Sequence, residues 1–252
     1  MSRFNFGPVI DAETIVGFYP RRQTDISTQR LLEVMDSHGV NRAAIVSARG
    51  IFYDDVCGNT ETLQWCRSAP LDAEGKSRFL PVATLDLRKF TGYRAEINRM
   101  AAEGVRLWRL FPDFQGWEVD LAPFRRVAAA LGEAGAVLMI NAQPSRVMRA
   151  LADVRLSVIL CTHFYQMPDL LALLEEGAEF YLSTRLMHGP GALERMVREM
   201  GVERLIFGSG APLAAQGSAV RRMLNAAVTP AERAAMCGSN LLQLLGEAPN
   251  DR

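Results

Sequence analysis

Residues 9–17 read Val-Ile-Asp-Ala-Glu-Thr-Ile-Val-Gly. The run is apolar and β-branched apart from two carboxylates, Asp11 and Glu13, and it closes on a glycine. Such a segment predicts a buried strand over 8–16. Side chains alternate along a strand, so Asp11, Glu13 and Ile15 are expected on one face. Two carboxylates that close inside a core raise one another's pKa, which supplies an acid and a base.

Working outward, similar runs occur at 42–48, 79–86, 104–110, 136–142, 156–162, 179–184 and 204–208. They are apolar nearly throughout, as in Ala-Val-Leu-Met-Ile-Asn at 136–141, which suits parallel strands covered on both faces. Between them lie helical patterns at 27–38, 120–134 and 190–200, each ending at or next to a glycine. This alternation predicts an α/β fold of the (β/α)8 TIM-barrel type, a single domain spanning 1–252. The competing doubly wound sheet usually carries G-x-G-x-x-G after its first strand, and none is present. Extra C-terminal helices are expected at about 214–227, 230–236 and 239–246, the last opened by Ser239-Asn240. The tail 248–252 is expected to fray.

Lys plus Arg equal Asp plus Glu at 28 each, so the formal net charge is zero. Nothing in that balance suggests a grip on nucleic acid or on an anionic membrane. Cys57, Cys66, Cys161 and Cys237 form no C-x-x-C pair and read as reduced thiols of a cytoplasmic protein. No signal peptide and no run of roughly 18 apolar residues is evident.

Several segments carry a resemblance to a known family. Residues 9–17 resemble the opening strand of the amidohydrolase superfamily in its amidohydrolase-related branch, which reads Ile-Asp-Ala-His-x-His-x-Gly. Leu31 to Val46 resembles the passage from first helix to second strand, Pro81-Val-Ala-Thr-Leu-Asp the third strand, and Gly104 to Pro112 the fourth. Arg204-Leu-Ile-Phe-Gly-Ser-Gly-Ala-Pro is similar to the eighth strand, R-x-x-F-G-S-D-x-P, and Cys237 to Leu245 to the terminal helix.

The resemblance implies the barrel, and it implies where metal ligands stand in the family. The two first-strand histidines are replaced by Glu13 and Ile15, the fifth-strand histidine by Asn141, and the eighth-strand aspartate by Gly210. The sixth-strand histidine matches Thr162, or His163 if the alignment slips by one. The fourth-strand lysine of two-metal members is matched by neither Lys76 nor Lys89. A zinc-like ion needs about three protein ligands, and Glu13 and His163 supply two at best. The expectation is a degenerate centre with no metal and no other cofactor.

Three functions remain open. The first is a metal-free pseudoenzyme that binds a small polar or carboxylate-bearing ligand, or partners its own copies or an active amidohydrolase-like paralogue. The second is a metal-independent hydrolase, lyase or decarboxylase. In it Glu13 and His163 serve as acid and base, and Asn141 and Ser209 donate to a carbonyl or carboxylate. The third is a divergent metal hydrolase using Glu13, His163, His188 and a cysteine.

Structural readings compete at each position. Asp11 matches an aspartate that ties the family's first strand to its neighbours, and Glu13 has Arg109 as a candidate salt-bridge partner. Gly208-Ser209-Gly210, ahead of an expected helix at Pro212, offers N–H groups to a phosphate or carboxylate. The stretch Arg49 to Asn59 reads as a long loop, with Arg49, Tyr53 and Asp54 available to a polar substrate or to lid packing. Tyr165 lies beside His163. Trp108, Phe111, Phe114 and Trp117 read as core, lid or subunit interface. His38 before Gly39 reads as a helix terminus and His188 as a surface turn.

Overall fold

The computed structural model describes residue 4 and residues 6–247; the tail expected to fray lies outside them. Eight parallel strands stand in sequence order: β1 (Ile10–Val16), β2 (Arg42–Ser47), β3 (Phe79–Ala83), β4 (Leu107–Leu110), β5 (Val137–Ile140), β6 (Ser157–Leu160), β7 (Tyr181–Ser183) and β8 (Leu205–Ile206). The Ala12 N–H donates to the Phe207 carbonyl at 2.9 Å and the Gly210 N–H to the Glu13 carbonyl at 2.8 Å, which brings β8 back against β1. The result is the predicted (β/α)8 barrel.

Its helices are α1 (Thr28–His38), α2 (Ala48–Phe52), α3 (Asp55–Ser68), α4 (Tyr93–Ala102), α5 (Pro112–Gln115), α6 (Ala122–Glu133), α7 (Pro144–Ala150), α8 (Met167–Glu175), α9 (Ala192–Met200), α10 (Gln216–Asn225), α11 (Pro230–Ala234) and α12 (Asn240–Leu244). Local chemistry sets their ends. The Ser27 hydroxyl caps α1 by accepting from the Arg30 N–H, and Gly39 closes it with φ 71°. Strand alternation sorts the core into two layers. Ala44, Val46, Leu80, Val82, Leu107, Val137, Met139, Ile159 and Cys161 form one cluster inside the barrel. Ala43, Ile45, Trp108, Leu110, Leu138, Ile140, Leu160 and Leu182 pack outward against the helices.

Two expectations change and a third holds in part. Arg49 to Asn59 is not a long loop but falls in α2 and the first turns of α3, separated by a turn at Tyr53-Asp54 whose Asp54 carboxylate caps the Cys57 N–H at 2.8 Å. The two helices cross at Gly50 and Gly58, where a Cβ on Gly58 would fall inside the Gly50 backbone. Ser239-Asn240 stands at the start of α12, as expected, but Ser239 is itself helical and makes no side-chain cap. A π-helical turn at Ala235–Ser239 joins α11 to α12 in one helical run. Pro212 begins no helix, because α10 starts at Gln216.

No helix among the described residues is long and apolar enough to cross a membrane.

Candidate functional site at the barrel mouth

β1 carries the first two acidic groups, and they separate. The pairing of β1 with β2 is irregular between Asp11 and Thr14, which breaks the alternation that puts Asp11 and Glu13 on one face. Asp11 turns toward the end of β8. It accepts from the Ser209 N–H at 3.0 Å, from the Ser209 hydroxyl and from Gln216 Nε2 at 2.8 Å. The Glu13 N–H donates to it at 3.1 Å. Burial dominates and raises its pKa to about 6, against the opposing pull of these four donors. Its role in joining β1 to β8 agrees with the structural reading.

Glu13 turns into the barrel and is fully buried. One carboxylate oxygen receives Arg109 Nη2 at 2.7 Å and Arg185 Nη1 at 3.2 Å. The other accepts from the Ser183 hydroxyl at 2.6 Å. Burial alone raises the Glu13 pKa, but the two guanidinium charges and the Ser183 bond outweigh it and hold the carboxyl below its usual range. Each carboxyl answers mainly to its own partners and its own burial, not to the other acid, so the expected coupled pair does not dominate either group. Cys161 lies beside Glu13, and its thiol is pushed well up by burial and then by that negative charge.

The mouth is built above this floor. Arg109 has only 4 % of its surface exposed, and its Nε and Nη1 have no hydrogen-bond partner among the described residues. Its guanidinium sits 4.8 Å from the centroid of Phe111. Phe111 stacks on Phe114, which in turn meets Phe52 and Tyr19. Two arginines clasp this aromatic cap. Arg21 lies over Phe52 and Phe114 and donates to the Phe114 carbonyl at 3.2 Å, and Arg22 lies over Tyr19 and donates to the Leu213 carbonyl at 3.1 Å.

The remaining residues singled out in the sequence fall on the rim or outside it. Asn141 continues the inward parity of Val137 and Met139, and its Nδ2 donates to Asp113 at 3.2 Å. His163 continues the parity of Ile159 and Cys161 but stands beyond the last paired residue of β6, exposed and within electrostatic reach of Asp113. Thr162 is buried and bonded to Gln166. Glu13 and His163 share no hydrogen bond; one is in the floor and the other on the rim. Tyr165 is 89 % exposed and Tyr53 is 54 % exposed. Arg49 is exposed on α2. His188 is exposed, with its Nδ1 2.6 Å from Arg222 Nη1.

Gly208-Ser209-Gly210 is not a cradle for an anion, because its donors are spent inside the fold. The Ser209 N–H and hydroxyl go to Asp11, the Gly210 N–H to the Glu13 carbonyl, and the Gly208 N–H to Thr184 Oγ1 at 3.4 Å. Gly210 itself has φ 80°, and a Cβ there would collide with the Arg185 guanidinium.

Arg185, Ser183 and Gln216 were not singled out in the sequence. Ser183 ends the seventh strand and Arg185 follows it by two residues, and a basic residue at the carboxyl end of a barrel strand is the signal that points to it. Gln216 carries no such signal.

The donor set does not fit the metal centre that the resemblance implies. Ile15 and Gly210 offer no side-chain ligand, Asn141 is engaged with Asp113, Asp11 is turned toward Ser209 and Gln216, and two guanidiniums face the Glu13 carboxylate. Among the described residues no three of His, Cys, Asp or Glu come together as a ligand group.

Comparison with known proteins agrees on the fold. 5-Carboxyvanillate decarboxylase from Sphingomonas paucimobilis superposes with TM-score 0.71 and 17 % identity, covering 95 % of this chain and 99 % of that one. 2,6-Dihydroxybenzoate decarboxylase from Rhizobium gives 0.73 and 16 %, covering 95 % and 98 %. A putative amidohydrolase from Staphylococcus aureus gives 0.76 and 11 %, covering 95 % and 100 %. No curated protein matches. The amidohydrolase family model matches residues 19–246, so its match begins after β1 and leaves the substituted segment 9–17 outside. With that match running over most of its length, the chain belongs to the amidohydrolase family.

Proposed function

We propose that this protein is a metal-independent member of the family, a pseudoenzyme whose barrel mouth binds a small carboxylate. One observation carries the reading: the buried floor of the mouth is an ion cluster in which two guanidiniums meet one carboxylate. Arg109, inside that cluster, still holds two nitrogens, Nε and Nη1, whose N–H bonds have no partner among the described residues. A buried unpaired N–H on a charged group is costly, and a carboxylate oxygen is the acceptor best matched to a guanidinium edge. Asn141 and His163 stand on the rim at the inward parity, where they would meet the rest of such a ligand. Two of the structural neighbours are named as decarboxylases of aromatic carboxylates, which supports that ligand class.

Titration calorimetry with benzoate and its hydroxylated forms, in the presence of chelator, tests the proposal. Binding that survives the chelator and falls by about tenfold or more in Arg109→Met or Arg185→Met is expected. Binding that requires added zinc or manganese, or no binding, contradicts it. A second reading, turnover without metal, is favoured by the inward parity of His163. It requires release of carbon dioxide from the bound acid and loss of that release in His163→Gln.

A further inference from the structure

The opposite end of the barrel holds a cavity that the mouth does not use. It has a volume of about 540 Å³ and opens at the amino-terminal ends of β4 to β8. Three arginines converge on it: Arg106 ahead of β4, Arg155 ahead of β6 and Arg204 ahead of β8. The local acidic residue is Glu179, which is 88 % exposed and only 3.9 Å from Arg204 at closest approach. Ser157 and Tyr181 are also among the residues that line the cavity.

The three guanidiniums differ in how they are held. Arg106 is fixed by three of its N–H bonds, one to the Leu245 carbonyl at 2.6 Å and two to the Gly135 carbonyl at 3.2 and 3.1 Å. Two of its five donors remain free to meet a ligand. Arg155 makes no hydrogen bond or ion pair with a described residue. Its backbone is nevertheless fixed, since Gly132 lets α6 pack directly on the Arg155 carbonyl. Arg204 has only the long contact to Glu179. Like charges gathered around one concavity repel each other unless an anion sits among them.

We propose that this basal cavity is a second ligand site, taking a small polyanion of the phosphate-ester class. A single carboxylate would match one guanidinium edge; three forks around one cavity match the several acceptor oxygens and higher charge of a phosphate group. The cavity falls in the usual size range of small-ligand sites, about 300–1,000 Å³. It also has room for an ester substituent beside the phosphate, against Phe180 and Leu244. This proposal is independent of the reading of the mouth.

The test is titration calorimetry of the full chain with pyrophosphate and, separately, inorganic phosphate at physiological salt. Pyrophosphate binding that weakens about tenfold or more in Arg155→Ala and in Arg204→Ala is expected. Both variants retain their fold by circular dichroism, because neither side chain holds another element. Arg185→Met leaves pyrophosphate binding unchanged while it weakens benzoate binding at the mouth about tenfold or more. The proposal is overturned if pyrophosphate does not bind, if binding is insensitive to Arg155 and Arg204, or if Arg185→Met abolishes it.

Discussion

Arg185 fills the space that a side chain at Gly210 would occupy. It enters from the end of β7, binds Glu13 at 3.2 Å, and lies so close to Gly210 that any Cβ there would overlap its guanidinium. The resemblance to the family's eighth strand implies an acidic residue at position 210. Here an arginine from the adjacent strand has taken the volume, and its charge is complementary to Glu13, not to a cation.

This relationship predicts a specific coupling. Gly210→Asp places a side chain into Arg185 at a φ of 80° and is expected to cost about 2–4 kcal/mol. In an Arg185→Ala background the added cost of Gly210→Asp falls, because the collision is gone. Urea unfolding of the four proteins gives the interaction energy, expected at about 1–3 kcal/mol. Additivity would mean the two residues do not compete for the space.

Glu13→Gln leaves two guanidiniums in the floor without their shared counter-charge, and is expected to destabilise the fold by about 3–5 kcal/mol at neutral pH. Its pH dependence has a fixed sign. The native carboxyl is held below its ordinary value of 4.5. The stability it contributes is therefore complete above that value and is lost as pH falls through the native pKa. Unfolding free energies of wild type and variant, measured at neutral pH and at steps below pH 4.5, converge on acidification.

Asp11 acts with the opposite sign. Its pKa rises from 3.8 to about 6 on folding. Between those values the native state binds the extra proton, so this group lowers stability as pH rises through the window. Asp11→Asn removes that slope. A wild-type stability advantage over Asp11→Asn that grows from pH 4 to 6 would contradict the assignment.

The crossing of α2 and α3 tolerates only glycine on one side. Gly58→Ala drives a methyl group into the Gly50 backbone and is expected to cost about 3 kcal/mol or more. Gly50→Ala meets the Thr84 methyl first, at 2.8 Å, a side-chain atom that rotates more easily. Thermal unfolding is expected to rank Gly58→Ala well below Gly50→Ala.

The arginine clasp over the mouth affects access more than stability. Arg21→Ala loses two exposed cation–π contacts and Arg22→Ala one, each with one carbonyl bond, worth about 1 kcal/mol or less per contact. The double variant is expected to speed alkylation of buried Cys161, followed by peptide mapping, with little change in unfolding midpoint. An unchanged Cys161 rate would show that the cap does not control entry.

The fold was legible because it rests on repeated local patterns. Eight apolar runs at barrel spacing, with helices closed by residues such as Gly39 and Gly201, fix strand order once connections are short and right-handed. The Glu13–Arg109 pair was also within reach, since inward parity on β1 and β4 brings opposite charges toward one axis. What escaped depended on geometry that periodicity does not encode. The irregularity at Asp11 to Thr14 reversed one side chain and dissolved an apparent carboxylate pair. Arg185 stands two residues past the end of β7, and only its approach to Gly210 and Glu13 gives it meaning. Ser209 looked like a free donor until Asp11 was found to consume both its N–H and its hydroxyl.

The most direct test of the central claim is the metal content of the protein purified without chelator, measured by elemental mass spectrometry after gel filtration. A floor made of Glu13, Arg109 and Arg185 predicts zinc, manganese and iron each far below one equivalent, with no change in Glu13→Gln. A full equivalent of one metal that is lost in Glu13→Gln would contradict it, and would show that the carboxylate serves a cation and not the two arginines.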